Sequence, residues 1–141
     1  MKGALESKLL AGLFAAAALA AVLATIELDP PARQRQHNLD LRRETDLGAM
    51  QNLINEYWRR HAALPADHAR LDAEPGFRTL QKDPQSGAPY GYEVTGTRSY
   101  RLCADFALDT KADPMPNAAF ATTAWAHPAG HQCFDLAVRE K

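Results

Sequence analysis

The stretch 83-DPQSGAPYGYEVTGTRSYRLCADF-106 decides the fold. Asp83-Pro84 opens a turn, because proline presets φ at the second turn position and an aspartate side chain accepts bonds from the backbone just ahead of it. Gly87 supplies positive φ where the turn requires it. Tyr90, Tyr92 and Val94 then alternate with small or polar residues, Gly96 interrupts, and Tyr100, Leu102, Ala104 and Phe106 resume the alternation at period two. This pattern is a hairpin with one apolar face. Two strands alone are marginal in water, so that face calls for a further strand or a helix to cover it.

The flanking sequence offers both. On the N-terminal side Leu47, Met50, Ile54, Tyr57 and Trp58 recur at spacings of three and four, with Leu53 beside them. This predicts one amphipathic helix of about 20 to 25 residues from near Leu39. Arg42, Arg43, Glu44, Asn52, Glu56, Arg59 and Arg60 form its polar face. Gly48 is its weak point, at about 1 kcal/mol, and leaves room for the sheet to approach. Leu64-Pro65 ends the helix, because the residue before a proline is pushed out of helical space. Between Ala66 and Lys82 the periodicity is poor; Asp67 caps a short turn, Leu71 and Leu80 plug the core, and Pro75-Gly76 marks a bend.

On the C-terminal side an irregular excursion from Asp109 to Gly130 leads to a last strand, in which Phe134, Leu136 and Val138 alternate with Cys133, Asp135 and Ala137. Cys103 is out of phase with Leu102 and Ala104, as Cys133 is with Phe134 and Leu136. If the two strands pair, both sulfurs lie on the face away from the core, and a Cys103–Cys133 disulfide is expected there. Its loop stabilises the fold by about 3 to 4 kcal/mol in the chain-entropy model.

From Leu9 to Ile26 there is no charged residue, and 18 helical positions span about 27 Å, close to the hydrocarbon thickness of a bilayer. Lys2 and Lys8 precede the run and Glu27 and Asp29 follow it, which predicts a cytoplasmic N-terminus and an exported remainder. The expected organisation is a cytoplasmic segment 1–8, a transmembrane helix or uncleaved signal anchor 9–26, a linker 27–38 jointed at Pro30-Pro31, and a domain 39–141. The alternative is cleavage before Thr25 at Val22-Leu23-Ala24.

The apolar start, a long helix ending at Leu64-Pro65, and then Asp83-Pro84, Gly87, Pro89-Tyr90 and Tyr92 leading into an antiparallel meander occur here in a telling order. The chain thereby resembles the pseudopilins of type II secretion and related type IV pilin-like proteins. It is more closely similar to small membrane-anchored bacterial proteins that carry LDLRRETDL (39–47), SYRLCADF (99–106) and WAHPAGHQCF (125–134). The resemblance covers most of residues 39–136. It implies an α+β fold, with an N-terminal transmembrane helix and then a long amphipathic helix packed on a three- or four-stranded antiparallel sheet. It also implies a single-pass protein of the bacterial inner membrane with a periplasmic domain, acting as a structural or interaction subunit with a protein partner. The N-terminal processing signal is not shared: Gly3 is followed by Ala4-Leu5-Glu6-Ser7, so filament assembly is not implied.

Charge and motifs narrow the function classes. Beyond Ile26, fourteen Lys and Arg face sixteen Asp and Glu, and the nearest basic group, Arg33, Arg35, Arg42 and Arg43, is interleaved with Gln, Asp and Glu. It reads as a solvated or membrane-proximal face, and no nucleic-acid partner is expected. His127 and His131 have the H-x3-H spacing of zinc ligands, but Pro128 and Gly130 exclude the helix that aligns such a pair, and a disulfide takes up the thiols. The histidines read as structural, with Trp125 in a loop tucked over the disulfide. Asp105, Asp109 and Asp113, spaced by four, resemble the calcium-binding loop of some pseudopilins, against the reading of a solvated acidic loop. Ser86 and Ser99 lack the setting of a nucleophile and the cysteines form no CxxC, so no catalysis is expected. The competing class is a cleaved, secreted or periplasmic ligand- or metal-binding module.

Overall fold

A computed structural model describes residues 30–77, 82–112 and 123–139, together with Gly12 and Phe14. The chain divides into two compact units, Met1–Gln34 and Arg35–Lys141. The second holds the sheet and its core.

Helix α1 spans Pro31–His61. It begins at Pro31 rather than near Leu39, so 31–38 is helix where a linker was expected. A proline at the first helical position lacks only an N–H that would have no intrahelical partner there, and the Pro30 carbonyl accepts from the N–H groups of Arg33 (2.8 Å) and Gln34 (3.2 Å). At the far end Arg59 and Arg60 place positive charge on the negative pole of the helix. Ala62 leaves it at φ 51°, its N–H bonded to the Trp58 carbonyl at 2.8 Å. The short helix α2, His68–Asp72, starts at Asp67, whose carboxylate accepts the Arg70 N–H at 2.8 Å.

Among the described residues no helix is long and apolar enough to cross a membrane. This corrects the expectation of a fold opening with a transmembrane helix, and with it the single-pass inner-membrane placement. The span expected at 9–26 lies, apart from Gly12 and Phe14, outside the described residues. Helix α1 is long enough, at 31 residues, but too rich in Arg, Asp and Glu for such a role.

Three strands follow: β1 (Gly91–Val94), β2 (Ser99–Phe106) and β3 (Gly130–Ala137), forming an antiparallel sheet in the order β1-β2-β3. In β2 the alternation is complete, with Tyr100, Leu102, Ala104 and Phe106 buried. They meet Leu47, Met50, Ile54 and Tyr57 of α1, Leu71 of α2, Tyr90, and Phe134 and Val138 at the third strand in one core. Trp58 is half-buried at the margin, within 5.8 Å of the Arg98 guanidinium. Trp125 is buried and meets Phe134 edge to face at 4.9 Å. Trp125 therefore lies on the core side of the sheet and not over the disulfide, because an indole gains more from the apolar face than from the polar one.

Candidate functional site

The buried side of α1 is apolar only over its second half. Towards its N-terminus His37, Asp40, Arg43, Glu44 and Asp46 are also buried, so Arg43 and Glu44 do not belong to the solvated face expected for them. Charges at 40, 43 and 46 share the helix face that continues into Leu47 and Met50.

Each of the three holds a different segment flanking the sheet. Asp40 accepts the N–H groups of Ala107 (3.0 Å) and Leu108 (2.9 Å), closing the end of β2. Arg43 donates to Asp40 at 2.8 Å, to Asp83 at 2.5 Å through Nε, and to Gln85 at 3.0 Å. Asp46 accepts the Tyr90 hydroxyl at 2.9 Å. Asp83 in turn receives the N–H groups of Gln85 (3.0 Å) and Ser86 (2.7 Å). Burial alone would raise the Asp83 carboxyl; Arg43 and these backbone donors outweigh it and hold it well below the usual carboxylate range. Burial and Asp46 together push the Tyr90 phenol up.

The motif residues of the resemblance all serve this junction or its turns. Leu64 packs on the core, and Pro65 is fully buried with its carbonyl accepting the Tyr92 hydroxyl at 2.8 Å. The Asp83-Pro84 turn closes through the Gly87 N–H to the Asp83 carbonyl at 2.9 Å, with Gly87 at φ 69°. Pro89 bridges Lys82, and Tyr90 is buried.

The other face of the sheet carries three rows set by the register. Glu93, Arg101 and Asp135 align across all three strands, with Arg101 bonded to Asp135 at 2.8 Å. Gly91, Cys103 and Cys133 form the next row, and Cys103 and Cys133 are joined in a disulfide with their Cα atoms 4.1 Å apart. Gly91 is required here: a Cβ would lie 2.7 Å from Cys103 Cβ. In the last row His131 faces Asp105, with Nδ1 2.9 Å from the carboxylate and Nε2 3.4 Å from Cys133 Sγ. A cavity of about 380 Å³ opens beside this row, bounded by Arg43, Asp83 and Tyr90 on one side and by Gly91, Cys103, Asp105 and His131 on the other.

The two histidines of the H-x3-H spacing are not brought together. His127 is buried, stacked on Phe106 at 3.5 Å, with Nε2 3.4 Å from the Glu44 carboxylate. His131 is exposed on the outer face, because the two are separated by Gly130, where β3 begins at φ 100°. The three aspartates do not converge either. Asp105 turns to His131, and Asp109 accepts the N–H groups of Lys111 (2.7 Å) and Ala112 (3.2 Å), which hold its carboxyl low. Asp113 lies outside the described residues, as does Leu80. The group of metal-ligating side chains found among the described residues is instead Cys103, His131 and Cys133.

No protein-family model, curated protein or solved structure matches the chain.

Proposed function

We propose that this chain is a non-catalytic structural or interaction module of an oxidising, extracytoplasmic compartment, pseudopilin-like in its globular domain, which presents the outer face of its sheet to a protein partner. The observation that carries this reading is the direction in which the polar groups are turned. Asp40, Arg43, Asp46, Asp83, Tyr90 and Tyr92 engage one another and the backbone across the helix–sheet junction, where they fasten the fold. The charged row Glu93, Arg101 and Asp135 remains on the uncovered side. A sheet with one face in the core and one polar face outward offers that second face for recognition.

The test is site-specific photocrosslinking of the full chain in its native host. A crosslinker at Glu93 or Asp135 should give a discrete protein adduct that Arg101→Glu removes, and one at Asn52 or Arg59 on the exposed side of α1 should not. Adducts from neither face, or equally from both, would refute the reading. The cavity beside Cys103 and His131 favours a second reading, that of a ligand- or metal-binding module.

A further inference from the structure

We infer that the reduced form of this chain carries a zinc site built from Cys103, Cys133 and His131, so that the disulfide and the metal are alternative states of one place on the sheet. The inference rests on the outer-face geometry and is independent of any protein partner. The ligand atoms of the three side chains all lie within 4.8 Å of one another. They share a face by register, since Cys103 is paired with Cys133 and His131 is two residues along β3 from it. Asp105 holds Nδ1 of His131 at 2.9 Å, which leaves Nε2 as the nitrogen facing the sulfurs. A carboxylate on the far nitrogen is the arrangement that fixes a ligating imidazole and raises its basicity.

The donor set selects the ion. Two thiolates and an imidazole suit zinc and not calcium or magnesium. With Zn–S bonds of about 2.3 Å, a tetrahedral site sets its two sulfurs about 3.8 Å apart. Facing cysteines whose Cα atoms are 4.1 Å apart reach that separation by side-chain rotation. Cys103 and His131 also line the cavity of about 380 Å³, which leaves room for a water as fourth ligand. Entry to this state requires a two-electron reductant; a dithiol, for example, passes two electrons and two protons to the bridge. The Sγ–Sγ bond breaks, the two sulfurs of the dithiol join, and two cysteine thiols result. Zinc then displaces both thiol protons to solvent.

The test uses the full chain reduced anaerobically with a phosphine, which does not compete as a dithiol would, and titrated with cobalt(II) and then zinc. The expected result is one equivalent of cobalt with a sulfur-to-metal charge-transfer band and tetrahedral ligand-field bands, displaced by zinc and absent from the oxidised chain. Asp105→Asn should weaken binding by about 10- to 100-fold, and His131→Ala or Cys133→Ser by at least about 100-fold. Circular dichroism is followed in parallel. If reduction unfolds the domain, zinc should restore it in the wild type and not in His131→Ala. The inference is overturned if the reduced chain takes up no stoichiometric metal, if binding is indifferent to His131→Ala, or if the cobalt spectrum arises from a chain that stays unfolded.

Discussion

Replacing Arg43 with leucine removes the guanidinium that Asp40 and Asp83 share inside the helix–sheet junction. The side chains of Arg43 and Asp40 are 4% and 5% exposed, and that of Asp83 12%. Losing one partner of a buried ion pair costs about 3 to 5 kcal/mol, because the other is left charged in a poorly solvating site. Here the loss belongs at the lower end, about 3 kcal/mol, since Asp40 keeps the N–H groups of Ala107 and Leu108 and Asp83 keeps those of Gln85 and Ser86. For a domain of about 100 residues that is a fall in Tm of about 12 to 24 °C. The effect also depends on pH. Asp83 has a depressed folded pKa, so its stabilisation is complete above the unfolded value of about 3.9 and is lost as pH falls through the lower folded one. The wild-type and Arg43→Leu curves should therefore lie furthest apart above about pH 4 and converge below it. Urea unfolding followed by tryptophan fluorescence across that range measures both. A loss below about 1 kcal/mol, the size of an exposed pair, or a gap unchanged in acid, would refute the reasoning.

The Tyr100 hydroxyl is buried without a hydrogen-bond partner among the described residues, so Tyr100→Phe should leave stability unchanged or raise it by up to about 1 kcal/mol. Burial pushes the Tyr100 phenol up to about 12, so above about pH 10 the unfolded chain ionises where the folded one does not, and stability falls as pH rises. Urea midpoints at neutral and alkaline pH should show that fall reduced in Tyr100→Phe; a neutral-pH loss above about 1 kcal/mol would mean the hydroxyl is bonded. Gly48→Ala places a methyl 3.8 Å from Trp125 Nε1, an ordinary contact, and should stabilise by about 0.5 to 1 kcal/mol through helix propensity; a lower Tm would contradict this. Gly91→Ala drives a Cβ onto Cys103 Cβ at 2.7 Å, which the disulfide prevents from moving aside. A loss of about 1 to 3 kcal/mol is expected, and an unchanged melt would show that β1 shifts freely.

Local pattern in the sequence determined much of this domain by itself. Period two in Tyr100, Leu102, Ala104 and Phe106 names the buried face of β2, and the opposite phase of Cys103 and Cys133 names the outer face and its bridge, because side chains alternate along any strand. The stripe Leu47, Met50, Ile54 and Tyr57 follows equally from the helical repeat. The pair Asp105 and His131 was legible one step further on. Once Cys103 is set opposite Cys133, antiparallel pairing brings the residue two beyond the first against the residue two before the second. Only the tertiary structure decided the rest. Asp40, Arg43 and Asp46 have the composition of a solvated helix face, and nothing local distinguishes such a face from a clasp. Their burial depends on Asp83, Tyr90 and the Ala107–Leu108 backbone, 40 or more residues away in the chain, arriving to replace water as their hydrogen-bond partners. His127 and His131 likewise look alike in sequence and part company because Gly130 starts a strand between them, sending one imidazole under Phe106 and the other to the solvent side beside the bridge. Apolar burial follows from periodicity, but burial of charge requires knowing what meets it.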